Sequence, residues 1–91
     1  MHAAFLSVTF NDGDEATKVL EEQVIPQASG APGFVTGYWA GDMRPGGRGM
    51  AMLVFQTEDA AQAFTDQVPR ESGGGVEKVD DLFIAEVVGQ T

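Results

Sequence analysis

The chain has 91 residues, 43% of them hydrophobic, and no cysteine. That suits one small domain, residues 1–91, with a thin core, and it excludes a disordered chain, a disulfide scaffold, a thiolate nucleophile and a zinc–thiolate site. Fourteen acidic residues against five basic ones leave a net charge of −9, which repels nucleic-acid phosphates and anionic membrane surfaces alike.

Residues 1–10 lack the basic leader of a secretory signal, and no run approaches the ~18–20 apolar residues of a membrane span, so a cytoplasmic location is expected. Residues 3–10 alternate instead, with Ala4, Leu6, Val8 and Phe10 on one face and Phe5, Ser7 and Thr9 on the other, which is the period of a strand. Asn11-Asp12-Gly13-Asp14 breaks it. Asp12 or Asp14 can cap the helix that follows, and Glu15 suits its positive end.

From residue 15, the residues Ala16, Val19, Leu20, Gln23, Val24 and Ala28 recur at helical spacing, with Lys18, Glu21 and Glu22 outside. Pro26 removes a helix hydrogen bond and crowds the turn before it. The helix either ends near Ile25 or kinks and continues to about Ser29. The kink is favoured, because Gly30 is a good stop and Ala31-Pro32-Gly33 then reads as a loop.

Residues 34–42 and 49–55 form two strands around a polar connection that contains Arg44, Pro45, Gly46, Gly47 and Arg48. Thr57 reads as the N-cap of a second helix, with Ala60, Ala63, Phe64 and Val68 as its buried stripe and Pro69 as its stop. The glycine-rich residues 70–75 read as a flexible link. Residues 76–88 form the last strand, and Asp80-Asp81 predicts a bulge or an irregular start.

The order β-α-β-β-α-β predicts an α+β, ferredoxin-like domain: a four-stranded antiparallel sheet in spatial order 4-1-3-2, with both helices on one face. The other face stays bare and apolar, and homodimerisation through it is the simplest cover.

Taken together, the strand, the helix with Pro26, Pro32-Gly33-Phe34 leading into strand two, the long hairpin and the passage Phe55-Gln56-Thr57-Glu58-Asp59-Ala60 resemble the dimeric α/β-barrel superfamily, in particular its antibiotic biosynthesis monooxygenase-like group. The resemblance covers nearly the whole chain. It implies two sheets paired face to face into a barrel, with the helices outside. Haem-degrading relatives carry a haem-ligating His on the second helix, and residues 57–68 contain none. The group's cofactor-independent, quinone-forming members use a pocket of aromatic and polar side chains, where an electron-rich substrate itself reacts with oxygen. The implied function is therefore a small-molecule-binding dimer, a cofactor-independent monooxygenase acting on an aromatic or polyketide-like substrate. The alternative is a non-catalytic ligand-binding or structural dimer.

The candidate site residues carry an ordinary reading beside the functional one. Tyr38 and Trp39, the only Tyr and Trp, point to opposite sheet faces. They are packing residues, or else one of them lines a pocket for an apolar or aromatic ligand, with Met50, Met52 and Leu53 completing its wall. His2, the only histidine, is the one ordinary general base near neutral pH, at a position where fraying and a surface role are common. Glu86 shares a face with Leu82, Ile84 and Val88, and would serve as a base if buried, or pair at an edge if not. Arg44 and Arg48 flank a glycine-rich turn that is either an anion loop or a solvated tip. Asp12, Asp14 and Glu15 form a capping cluster before a metal site. With no cysteine, one histidine and no glycine fingerprint, the sequence has no anchor for haem, flavin, nicotinamide or structural zinc, and no cofactor is expected.

Overall fold

The structure, a computed structural model, describes the chain except Asn11, Asp12, Met43, Pro45, Pro69, Arg70 and residues 73–76. Strand β1 (His2–Phe10) is the centre of a sheet whose order is β2-β3-β1-β5-β4. The other strands are β2 (Phe34–Gly41), β3 (Arg48–Phe55), β4 (Glu71–Ser72) and β5 (Glu77–Glu86), and every neighbouring pair is antiparallel. Without the two-residue β4 this is the expected four-stranded order with the ferredoxin-like connection. β4 is a correction, because Glu71 and Ser72 pair with Glu77 and Lys78 rather than lying in a free link. Arg70 and residues 73–75 of that link lie outside the described residues.

The first helical run begins as α1 (Gly13–Val19), widens to a π-helical stretch at Leu20–Val24 and ends as α2 (Ile25–Ser29). Pro26 accounts for the change of type. It has no N–H to offer the turn before it and its ring crowds that turn, and a widened turn relieves both. The run therefore continues to Ser29, as the second of the two sequence alternatives has it. Asp14 lies inside the first turn of α1, and Asp12 falls outside the described residues. Gln23, expected inside, is exposed, while Leu20, Val24 and Ile25 are half-buried and Ala28 is fully buried.

Helix α3 (Glu58–Thr65) starts where the sequence places it, with Thr57 Oγ1 accepting a hydrogen bond from the Ala60 N–H at 3.1 Å. Its buried residues are Ala61 and Thr65, supported by Ala60 and Phe64, whereas Ala63 is exposed. Of the expected stripe, Ala60, Phe64 and Val68 pack against the core, and only Ala63 does not. Thr65 can go inward because its hydroxyl donates to the Gln62 carbonyl, so no polar group is left unsatisfied. Pro69 lies outside the described residues.

The core fills the helix side of the sheet. Ala4, Leu6, Val8 and Phe10 of β1 pack with Ala51, Leu53 and Phe55 of β3, Val79 of β5 and Ala61 of α3. No helix among the described residues packs on the opposite face. One row crosses all four long strands there: Phe83 pairs with Phe5, Phe5 with Met52, and Met52 with Tyr38. Directly paired residues share a face, so this row is a continuous apolar band. Tyr38 is 64% exposed and Phe83 52%. The expected irregularity in β5 is present as well: Ser7 pairs with Asp81 and Val8 with Val79, which leaves Asp80 as the extra residue. The Thr9 hydroxyl donates to its carboxylate.

Candidate functional site

A cleft of about 330 Å³ opens on the helix side, between the end of α2 with its loop and the outer half of α3. Gln27, Gly30 and Pro32 line one wall, and Ala60, Phe64 and Gln67 the other. The loop can lie this close to α3 because residue 33 is a glycine. Gly33 has φ +78, and a Cβ added there would stand 2.8 Å from the Ala60 Cβ. Only glycine combines that conformation with that approach. The Gly33 carbonyl accepts from the Gln56 N–H at 2.8 Å, which ties the loop to the junction of β3 and α3.

An aromatic ladder forms the floor. The Phe64 ring lies 5.4 Å from that of Phe55, which is fully buried, and Phe55 meets Phe34 edge-on at 5.8 Å. Phe64 is thus braced from beneath while still lining the cleft, a rigid apolar surface on which a flat ligand can rest. Gln27 and Gln67 are exposed at the mouth, and each amide offers both donors and an acceptor. No ionisable side chain lines the cleft among the described residues. The arrangement can bind and orient a ligand, but it offers no general base of its own.

The candidates read from sequence fall into separate groups. Trp39 pairs with Ala51 and packs on the helix-side core. A Cβ at Gly37 would meet the Leu53 side chain at 2.7 Å and the Trp39 ring at 3.1 Å, so the indole lies back over Gly37 beside buried Leu53. Tyr38, Met52 and Met50 belong to the bare face, where Met50 is 59% exposed. Tyr38 and Trp39 thus do point to opposite faces, and the wall of Leu53, Met52 and Met50 is divided between them. Neither aromatic lines the cleft of Gln27 and Phe64.

His2 is held in the β1 ladder between Phe55 and Glu86, and its Nε2 lies 3.5 Å from Glu58 Oε2 at the start of α3. Glu86 is exposed. Arg44 grips Asp42 with Nε and Nη2 at 2.9 and 2.6 Å, and this pairing holds the Asp42 carboxyl below its ordinary range and raises Arg44. The hairpin tip therefore spends its guanidinium on its own carboxylate. Arg48, Asp14 and Glu15 are exposed, and Asp12 lies outside the described residues. Among the described residues no three His, Asp or Glu side chains converge as a metal cluster.

Sequence reasoning passed over Gln27, Pro32 and Gln67. Exposed glutamines carry no periodic signal, and these two line one cleft only because the helical run passes Pro26 and reaches Ser29.

The class the structure defines is one of fold: a ferredoxin-like unit of four long antiparallel strands with the helices on one face and the other face open. Three solved structures share it. HapK from Hahella chejuensis matches with a TM-score of 0.66 at 11% identity, over 100% of this chain and 96% of its own. SnoaB from Streptomyces nogalater, described as a cofactor-independent oxygenase, matches at 0.65 and 13%, over 98% and 95%. A monooxygenase from the gene ActVA-Orf6 of Streptomyces coelicolor, solved with the ligand Nanaomycin D, matches at 0.65 and 12%, over 99% and 89%. At these identities the likeness is one of fold. No protein-family profile matches the sequence, and no curated protein matches it. No helix among the described residues is long and apolar enough to cross a membrane.

Proposed function

We propose that the chain is a homodimeric, cytoplasmic small-molecule protein that oxidises an aromatic or polyketide-like substrate with O2, without a cofactor. The observation that carries this reading is the match over nearly the whole chain to two proteins described as a cofactor-independent oxygenase and a monooxygenase. The bare row Phe83–Phe5–Met52–Tyr38 supports the dimer, because a second copy of the same face covers it.

The reaction balances without an external reductant. A CH2 flanked by aromatic rings becomes C=O, one oxygen atom of O2 enters the product and the other leaves as water. The substrate gives four electrons and O2 takes four. The protein holds the substrate against an aromatic surface, and the substrate's proton goes to water. Purified protein given 1,8-dihydroxyanthrone in air should form the quinone faster than buffer alone. Binding of the anthrone with no acceleration would contradict catalysis and leave the second reading, a non-catalytic ligand-binding dimer. The absence of an ionisable side chain from the described cleft lining favours that second reading.

A further inference from the structure

We propose that the α2–α3 cleft selects an uncharged, hydroxylated aromatic molecule, seated on Phe64 and held at its rim by the side-chain amides of Gln27 and Gln67. The proposal rests on the small-molecule reading above and adds a place, two specificity residues and a charge rule.

Size comes first. About 330 Å³ is at the small end of ligand pockets and suits two or three fused rings. The Phe34–Phe55–Phe64 ladder supplies a preformed floor, so little ordering is required when a ring settles on it. Polarity comes next. Gln27 and Gln67 both line the cleft, and a side-chain amide can accept from a hydroxyl or donate to it. Charge decides the class. No described lining residue can neutralise an anion, and an unpaired charge taken out of water is costly. The net charge of −9 acts in the same direction at longer range.

The test uses two probes of one shape, 2,6-dihydroxynaphthalene and 6-hydroxy-2-naphthoate, titrated into the ¹⁵N-labelled protein at pH 7. Salt at 0.3 M, where the screening length falls to roughly 5–6 Å, removes the long-range repulsion and leaves the local preference. The neutral probe should shift the amides of Gly30, Ala31, Phe64 and Gln67. The carboxylate should bind on the order of tenfold more weakly, as an unpaired charge in a cleft does. Gln67→Lys, a change at an exposed position, should bring the two affinities together by strengthening the carboxylate's. Phe64→Leu should weaken both probes. Equal affinities in the native chain would overturn the inference, as would shifts confined to Phe5, Phe83 and Tyr38 on the bare face, or no binding at all. Cleft binding without oxidation of the anthrone leaves this inference standing and removes the oxygenase. Oxidation of the anthrone with no cleft shifts does the reverse.

Discussion

Phe5 and Phe83 stack across β1 and β5, ring centroids 5.0 Å apart and planes 14° from parallel, on the sheet face that no helix covers. A stacked pair with one ring half exposed is a surface already shaped for a partner. Water is expelled from only one side of it in a single chain. Met52 and Tyr38 extend the same band to the far edge.

Phe83→Asp places a charge at the β5 end of that band, beside Phe5. The native protein should run at about twice 9.6 kDa at micromolar concentration, and the variant near 9.6 kDa by light scattering. Phe83 does not belong to the helix-side core, so the variant's far-UV circular dichroism should stay native. A native protein that is monomeric, or a variant that still dimerises, would separate the band from assembly.

Trp39 and Tyr38 are neighbours in sequence with different work. Trp39 packs on the core and its loss to alanine should cost about 2–3 kcal/mol, somewhat below the cost at a fully buried site. Tyr38 is 64% exposed, and Tyr38→Ala should change the stability of the single chain by roughly 0.5 kcal/mol or less, while weakening the dimer. Denaturant melts at two protomer concentrations distinguish the effects. If Tyr38→Ala proves the more damaging at low concentration, the assignment of faces is wrong.

The turn chemistry of the cleft gives a paired comparison. Gly33→Ala meets both a φ of +78 and the Ala60 Cβ at 2.8 Å, and should lose more than about 1 kcal/mol. Gly30 has φ −87, and its added Cβ would meet the Pro26 carbonyl oxygen at 3.3 Å and that of Gln27 at 3.9 Å, so Gly30→Ala should cost less than Gly33→Ala. Thr57→Ala removes the cap of α3 and should cost about 1 kcal/mol, a fall in Tm of roughly 4–8 °C. Equal losses at Gly30 and Gly33 would show that the loop does not hold its drawn conformation.

Much of this was legible in the sequence, for physical reasons. The period-two pattern of Ala4, Leu6, Val8 and Phe10 is forced by a sheet with one dry face, and Thr57 ahead of two acidic residues is a cap in almost any context. Asp80-Asp81 could not continue the ladder unbroken, and a bulge follows. Other features depend on tertiary context. Thr65 turns inward only because a carbonyl of its own helix accepts its hydroxyl proton, and Ala63 turns outward as a result. The pair Glu71–Ser72 forms a strand only because β5 offers an edge beside it. The cleft is a meeting of the α2 end and its loop with one side of α3, and no local pattern announces such a meeting.

The Asp42–Arg44 pair makes the hairpin tip sensitive to pH. The folded carboxyl sits below its ordinary value because Arg44 donates to its charged form. Its stabilising contribution is therefore present above the unfolded carboxylate range and is lost as pH falls through the folded value. Both groups are exposed, so the effect on global stability should be slight. Arg44→Gln should raise the Asp42 titration midpoint, read from its side-chain carboxyl ¹³C shift. An unmoved midpoint would mean the pair does not persist in solution.

On the proposed reading, the chain places oxygen into an aromatic substrate with electrons the substrate itself supplies. The most direct measurement is ¹⁸O2 consumption with 1,8-dihydroxyanthrone by the purified, chelator-treated protein. One O2 should be consumed per quinone formed, with one labelled oxygen in the new carbonyl, the other in water, and a rate above the protein-free blank. A blank rate, or quinone that carries no label, would contradict it.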